Sequence, residues 1–86
     1  MVLQIDPHTL LRAKERGASL EEIEDVLKTG ALEEAKENRH KKSKIYAYNE
    51  ERNGKFYEKK KIDVIFVTSG MKIITVTVYV FYGKFE

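Results

Sequence analysis

The sequence KIDVIFVTSGMKIITVTVYVFY, residues 61–82, decides the fold. β-Branched and aromatic residues dominate this stretch, and such residues favour β-strands. The dipeptide Ser69-Gly70 interrupts it at a position suited to a hairpin turn. The sequence therefore predicts two long antiparallel strands, residues 61–68 and 71–82, at the centre of a sheet.

Two helices are predicted upstream from the signals at their ends. Asp6-Pro7 matches an N-cap followed by the first helical position, and Gly17 suits a left-handed C-terminal position. Ser19 and Glu22 have the spacing of a capping box, and the helix that they begin would end at Gly30. The chain thus opens with two short amphipathic helices.

The middle of the chain supplies two further strands. We expect a short edge strand from Ala31, a basic loop over residues 38–43 and a strand over residues 44–48. Asn53-Gly54 predicts a two-residue type I′ hairpin turn. The predicted fold is therefore α+β, one domain over residues 1–86, with two N-terminal helices packed on a four-stranded antiparallel sheet in the order α-α-β-β-β-β.

Two-residue loops at both hairpins also predict which side chains share a face of the sheet. The face packed under the helices would carry Tyr46, Tyr48, Ile65, Val67, Ile74, Val76, Val78, Val80 and Tyr82. The other face would carry Ile62, Val64, Phe66, Ile73, Thr75, Thr77, Tyr79 and Phe81. A one-residue slip at either turn exchanges these sets. The second set is too apolar to lie wholly in water, which predicts a homodimer contact or another bound partner.

The composition excludes several classes of site. The chain has no cysteine, so it contains no disulfide, no thiolate metal ligand and no thiol nucleophile. It also lacks a glycine-rich phosphate loop, a zinc-binding spacing and a Gly-x-Ser-x-Gly elbow, so no cofactor and no metal is expected. No apolar run approaches a membrane span and no signal peptide is apparent, which predicts a cytoplasmic protein without membrane contact.

Charge is unevenly distributed along the chain. Residues 21–37 contain seven acidic and two basic side chains, whereas residues 38–61 contain nine basic and three acidic ones. Such asymmetry is typical of a polyanion-binding surface. The alternative is that loops and edge strands carry lysine for solubility and to discourage edge pairing.

Candidate functional residues lie on the first helix and near the last strands. His8, Arg12 and Arg16 fall at i, i+4 and i+8, in one row on the helix surface. Arginine binds phosphate bidentately and histidine exchanges protons near neutral pH. The structural alternative is that His8 packs against the sheet edge while the two arginines are solvated surface charges.

A second group of candidates comes from the sheet. Tyr79 can stack on a base or position a phosphate, and Thr77 lies two residues before it on the same predicted strand. Lys59 and Lys61 in the basic stretch are candidates for contact with phosphates. The alternative for these four residues is ordinary strand composition and solvated charge.

The chain contains the pattern His-x-x-x-Arg-x-x-x-Arg-Gly, then Ser-x-x-Glu-Ile opening a helix that ends in Gly, then a closing strand with Val-Thr-Val-Tyr. This combination resembles a family of small prokaryotic domains of unknown function. That family is grouped with the RelE/ParE-like toxin fold. The resemblance covers nearly all of the chain. It is carried by His8, Arg12, Arg16, Gly17, Ser19, Glu22, Ile23, Gly30, Thr77 and Tyr79.

The resemblance implies a toxin-like, metal-independent endoribonuclease with an antitoxin protein as a partner. His8 would act as general acid or base, with Arg12 and Tyr79 as the other catalytic residues. Arg12 and Arg16 would grip a phosphate, and Thr77 and Tyr79 would orient the RNA substrate from the last strand. Lys59 and Lys61, from the basic stretch, are further candidates for binding the substrate. The ribose 2′-hydroxyl would attack the adjacent phosphorus. The alternative is a non-catalytic domain that binds RNA or a protein, or that forms a homodimer.

Overall fold

A computed structural model describes residues 2–85 of the chain. In this range two helices and five strands form an α+β domain. In chain order they are β1 (Val2–Gln4), α1 (Pro7–Arg16), α2 (Leu20–Thr29), β2 (Ala31–Glu33), β3 (His40–Arg52), β4 (Lys55–Ser69) and β5 (Lys72–Gly83). The α+β class and the two helices agree with the sequence-based expectation.

The predicted helix ends are confirmed at the level of individual hydrogen bonds. The Asp6 carboxylate accepts from the backbone N–H of His8 at 2.8 Å, and Gly17 ends α1 in the left-handed region with φ of 96°. Ser19 and Glu22 form the capping box of α2, with the backbone N–H of Glu22 donating to the Ser19 hydroxyl at 3.1 Å. These local motifs fix both helices between residues 6 and 30.

The sheet has five strands in the order β1-β5-β4-β3-β2 and is mixed, not purely antiparallel. The first strand, β1, precedes the helices and pairs in parallel with β5 through Val2↔Lys72 to Gln4↔Ile74. The prediction of four antiparallel strands therefore missed one strand, β1, which runs parallel to its neighbour. The predicted basic loop over residues 38–43 is also wrong in part, because β3 begins at His40.

Both helices pack on one face of the sheet, where the core lies. Its buried apolar residues are Ala13, Ala18, Ile23, Val26, Leu27, Ile62, Val64, Phe66, Ile73 and Val78. We call this side of the sheet the helix face and the opposite side the open face.

A bulge in β3 changes the register predicted from the Asn53-Gly54 turn. The two-residue loop is confirmed by the pair Arg52↔Lys55. Between Glu50 and Ala47, however, β3 contains one residue more than β4, and Asn49 there adopts a positive φ of 52°. Tyr46 consequently pairs with Lys60 and not with Lys61. An extra residue in one strand exchanges the faces of everything beyond it.

In the second hairpin the predicted Ser69-Gly70 loop is wrong by one residue. Its loop is Gly70-Met71, since Ser69 pairs with Lys72, and Gly70 supplies the positive φ of 60°. A second bulge lies between the pairs Phe66↔Thr75 and Ile65↔Thr77, which leaves Val76 without a partner on β4.

The two bulges redistribute the predicted faces. Tyr46, Val78, Val80 and Tyr82 lie on the helix face as expected, but Ile62, Val64, Phe66, Ile73 and Thr75 join them there. The prediction that Ile65, Val67 and Ile74 pack under the helices is wrong, since they alternate with those residues and lie on the open face. Thr77, Tyr79 and Phe81 remain on the open face, as predicted.

Candidate functional site

His8 and Arg12 lie on the exposed surface of α1. The His8 side chain is 92% exposed, with Nδ1 3.4 Å from a carboxylate oxygen of Asp6. The Arg12 side chain is 57% exposed and lies 3.5 Å from the Glu15 carboxylate. The alternative in which His8 packs against the sheet edge is therefore wrong.

Arg16 ends the same row but reaches the sheet. Its guanidinium donates to the backbone carbonyl of Val78 at 2.5 Å and lies 5.2 Å from the centre of the Tyr79 ring. Strand β1 pairs with β5 only through residues 72–74, so the outer edge of β5 at Val78 is open to this contact. Arg16 is thus the member of the predicted row that joins Tyr79.

Three side chains from the sheet hold the C-terminal end of α1 in place. The Tyr82 hydroxyl donates to the Arg16 carbonyl at 2.6 Å, and Arg52 donates to the Glu15 carbonyl at 2.9 Å. Lys60 donates to the Gly17 carbonyl at 2.8 Å. The last carbonyls of a helix lack intrahelical partners and carry partial negative charge, so two cations and a phenol suit this position. These contacts fix the backbone from which Arg16 extends.

Two aromatic rings lie side by side on the open face of β5. Tyr79 and Phe81 are 44% and 47% exposed, and their ring centres are 6.4 Å apart with 29° between the planes. Together they form a small exposed aromatic patch on this face. Phe81 was not among the residues expected to bind substrate.

The predicted lysines lie on this same face, at one end of the aromatic pair. Lys61 pairs with Phe81 across the strands and Lys59 pairs with Gly83. The Lys61 ammonium is 3.5 Å from Glu33 and 3.7 Å from Asp63, so its charge is partly compensated. The Lys59 side chain is exposed and lies 3.5 Å from the Phe85 carbonyl. Lys59 is therefore the more available of the two for an anionic ligand.

A groove adjoins the other end of the aromatic pair. Its volume is about 280 Å³, and Ile65, Thr77 and Tyr79 form its sheet side. The opposite side comes from residues 35–39, which connect β2 to β3 and include Arg39. Thr77 and Tyr79 thus share one concave surface. Arg39 was expected only to belong to a basic loop. The missed sequence signal was Asn38 just before it, since asparagine tolerates the left-handed conformation found there.

The titratable group with the largest lowering of pKa lies away from this surface, between α2 and β3. Hydrogen bonds from Lys44 at 2.7 Å and from the Tyr46 hydroxyl at 2.5 Å lower the pKa of Asp25 to about 2. Burial and the adjacent Asp25 carboxylate raise the pKa of Tyr46 above its ordinary value. This cluster links α2 to β3 on the helix face of the sheet.

The predicted site residues therefore form two groups. Arg16 meets Tyr79 at the edge of β5, and Thr77 shares a groove with Tyr79. Lys59 and Lys61 lie further along the same face. The contacts of His8 and Arg12 are instead with acidic residues of their own segment. No three His, Asp or Glu side chains converge as a metal site within residues 2–85. In the same range no helix is long and apolar enough to cross a membrane.

No protein-family model, curated protein or solved structure was found to match this chain. The resemblance to RelE/ParE-like domains therefore stays a prediction.

Proposed function

We propose that the protein binds single-stranded RNA on the open face of β4 and β5. The observation that carries the proposal is the exposed, stacked pair of Tyr79 and Phe81 on a sheet surface bordered by Arg16 and Lys59. Proteins bind single strands by stacking bases on aromatic side chains while cations contact the phosphates. This surface supplies both elements.

The dimensions of the surface suit a short run of nucleotides. From Thr77 to Gly83 the strand extends about 20 Å, at roughly 3.3 Å per residue. Stacked nucleotides rise about 3.4 Å each along one strand, so at most about six fit this length. Arg16 lies near the middle of it and Lys59 at one end. The bases would meet the rings while the phosphates follow the cations.

Binding can be tested by titrating a short labelled single-stranded RNA and measuring fluorescence anisotropy. We expect Tyr79→Ala and Phe81→Ala each to weaken affinity roughly tenfold, the size of one lost base–aromatic stack. Phe56→Ala is the matched control, because Phe56 is 56% exposed at the start of β4, outside the part of that strand that pairs with Thr77 to Gly83. Equal losses in all three variants, or none, would reject the open face as the binding surface.

Metal-independent RNA cleavage by a toxin-like endoribonuclease is the second candidate. The contact between Arg16 and Tyr79 favours it, because a guanidinium stabilises charge on a phosphate under attack and a phenol can exchange a proton. The ribose 2′-hydroxyl would attack the adjacent phosphorus and expel the 5′-oxygen, which leaves a cyclic phosphate. His8 supports this candidate less directly, since along α1 its Cα is about 12 Å from that of Arg16.

Cleavage is tested by incubating the protein with labelled RNA in EDTA and analysing the ends of the products. We expect cyclic-phosphate ends that are lost in Arg16→Ala and Tyr79→Phe. His8→Ala and Arg12→Ala, tested beside them, measure whether the exposed part of α1 takes part. Intact RNA that is nevertheless bound would leave binding as the function and reject catalysis.

A protein partner is the competing occupant of the same surface. An antitoxin or a second copy of the chain would cover Tyr79 and Phe81, the two large members of the predicted apolar face that lie exposed on the open face. Such a partner predicts that RNA binding and protein association exclude each other. Light scattering with and without RNA measures this, and Phe81→Lys would then lower both.

A further inference from the structure

The groove beside Tyr79 has the size and lining of a site for one nucleotide. Its volume is about 280 Å³, close to the lower end of roughly 300 Å³ for small-molecule sites. Ala35, Lys36 and Arg39 line it on one side and Ile65, Thr77 and Tyr79 on the other. The lining therefore combines an aromatic ring, apolar side chains, a hydroxyl and two cations.

The sheet side of the groove suits a base. The Tyr79 ring has Phe81 on one side along β5, whereas Thr77 and the groove lie on the other. Ile65 pairs with Thr77 across the strands and adds apolar surface. A base stacked on Tyr79 would contact Ile65, and the Thr77 hydroxyl can both donate to and accept from the polar edge of the base.

The opposite side of the groove suits a phosphate. The backbone N–H of Arg39 donates to the Lys36 carbonyl at 3.2 Å, and Glu37 and Asn38 between them have φ of 59° and 62°. Two successive positive φ values describe a type I′ turn, which brings its first and last residues within about 7 Å. The turn therefore brings the backbones of Lys36 and Arg39 close together, and both side chains line the groove.

Both cations are exposed to solvent. Neither Lys36 nor Arg39 takes part in the ion pairs found among residues 2–85. Glu37 contributes the one carboxylate of the lining, and its exposure to solvent screens its repulsion of an anion.

We propose that this groove binds one nucleotide of the RNA, with the base on Tyr79 and Thr77 and the phosphate on Arg39 and Lys36. The inference rests on the proposed function for its ligand class. It adds a specific subsite, formed by the turn before β3, to a surface that otherwise binds by stacking and charge. Arginine and lysine side chains bind a phosphate through charge-assisted hydrogen bonds.

Adenosine 5′-monophosphate is the probe, with adenosine and inorganic phosphate titrated separately. Binding is followed by the shifts of backbone amide resonances in two-dimensional NMR spectra. We expect adenosine 5′-monophosphate to shift Ala35, Arg39, Ile65 and Thr77. Arg39→Ala should weaken its binding roughly tenfold, as for the loss of a hydrogen bond to a charged group.

Each control variant changes a side chain of the same charge or type at a position away from the groove. Lys28→Ala removes an exposed cation from the end of α2, and Thr68→Val repeats the change of Thr77→Val at an exposed position of β4. We expect both controls to bind the nucleotide as the unaltered protein does. Thr77→Val should weaken binding of the nucleotide more than binding of inorganic phosphate, because the hydroxyl meets the base.

The outcomes separate this subsite from the proposed function. If single-stranded RNA binds but the nucleotide leaves the groove resonances unchanged, the subsite is rejected and the RNA-binding surface stands. If inorganic phosphate binds as tightly as the nucleotide, the groove is an anion site only and the proposal fails. Nucleotide binding in a protein that does not bind RNA would support the groove and reject the wider function.

Discussion

The guanidinium of Arg16 lies 5.2 Å from the centre of the Tyr79 ring while it donates to the carbonyl of Val78. One side chain of α1 thereby reaches the open face of the sheet past the edge of β5. The contact combines the fixed charge of a helix residue with an accessible aromatic ring. A ligand bound to Tyr79 would therefore lie close to the positive charge of Arg16.

The first prediction separates the charge of Arg16 from its planar shape. Arg16→Ala should weaken RNA binding and lower the slope of log affinity against log salt by about one, since one phosphate contact is lost. Arg16→Lys should keep the slope but still weaken binding, because an ammonium lacks the planar fork of N–H donors that a guanidinium offers to a phosphate. Anisotropy titrations over a salt series measure both quantities, with Lys28→Ala as the control. An unchanged slope in Arg16→Ala would exclude a phosphate contact.

The second prediction concerns the hydroxyl that holds the end of α1. Tyr82→Phe removes the hydrogen bond to the Arg16 carbonyl and should lower the free energy of unfolding by about 1 kcal/mol. Tyr57→Phe, whose ring lies 5.5 Å from that of Tyr82, is the control and should change it by less than about 0.5 kcal/mol. Urea unfolding measures both. Equal effects would mean that the hydroxyl of Tyr82 does not stabilise the helix end.

The third prediction compares two glycines with positive φ. Gly17 and Gly54 have φ of 96° and 79°, so alanine is strained at both. A Cβ at Gly17 would also collide with the Tyr82 hydroxyl and approach Arg52 to 3.0 Å, whereas a Cβ at Gly54 meets open space. Gly17→Ala should therefore destabilise the protein by more than Gly54→Ala does, by an amount on the order of 1 to 2 kcal/mol. Equal losses in thermal unfolding would show that the contacts around Gly17 adjust without cost.

The fourth prediction follows from the carboxylate of Asp25. Hydrogen bonds from Lys44 and then Tyr46 lower its pKa from 3.8 to about 2 in the folded protein. Because the unfolded chain takes up this proton first, the stabilisation is complete above about pH 4 and is lost as the pH falls towards 2.

Comparing Asp25→Asn with the unaltered protein measures that window. The difference in unfolding free energy should be constant near neutral pH and should shrink between pH 4 and pH 2. Glu24→Gln, one position earlier on α2, is the matched control for a lost carboxylate. A difference that stays constant down to pH 2 would contradict the role given to Asp25.

Local motifs made much of this fold predictable from sequence. Caps such as Asp6-Pro7 and Ser19 with Glu22 act within one helical turn, and Asn53-Gly54 specifies a turn by its own φ preferences. These motifs need no knowledge of distant contacts. Accordingly, both helices and the first hairpin loop were found where the sequence placed them.

The faces of the sheet were less predictable, because one extra residue reverses them. Residues 73–81 are apolar, β-branched or aromatic at both odd and even positions, so no alternation marks the bulge at Val76. The bulge near Asn49 lies in a polar part of β3, where no alternation of apolar side chains marks it either. Strand β1 has only three residues, too few for a pattern.

The candidate site was predictable in its residues but not in its arrangement. Arg16 and Tyr79 were both singled out from the sequence, yet the contact between them depends on the bulge that sets the face of Tyr79 and on the open edge of β5. Helical spacing placed His8, Arg12 and Arg16 in one row and did not distinguish between them. Only the tertiary structure shows which member of the row reaches the sheet.

The most direct test of the proposed function is an NMR titration of the folded protein with a short single-stranded RNA. If RNA lies on the open face, the amide resonances of Thr77, Tyr79, Phe81 and Lys59 should shift together, with residues 8–12 of α1 unchanged. Shifts confined to residues 8–12, or no shift at all, would contradict the account.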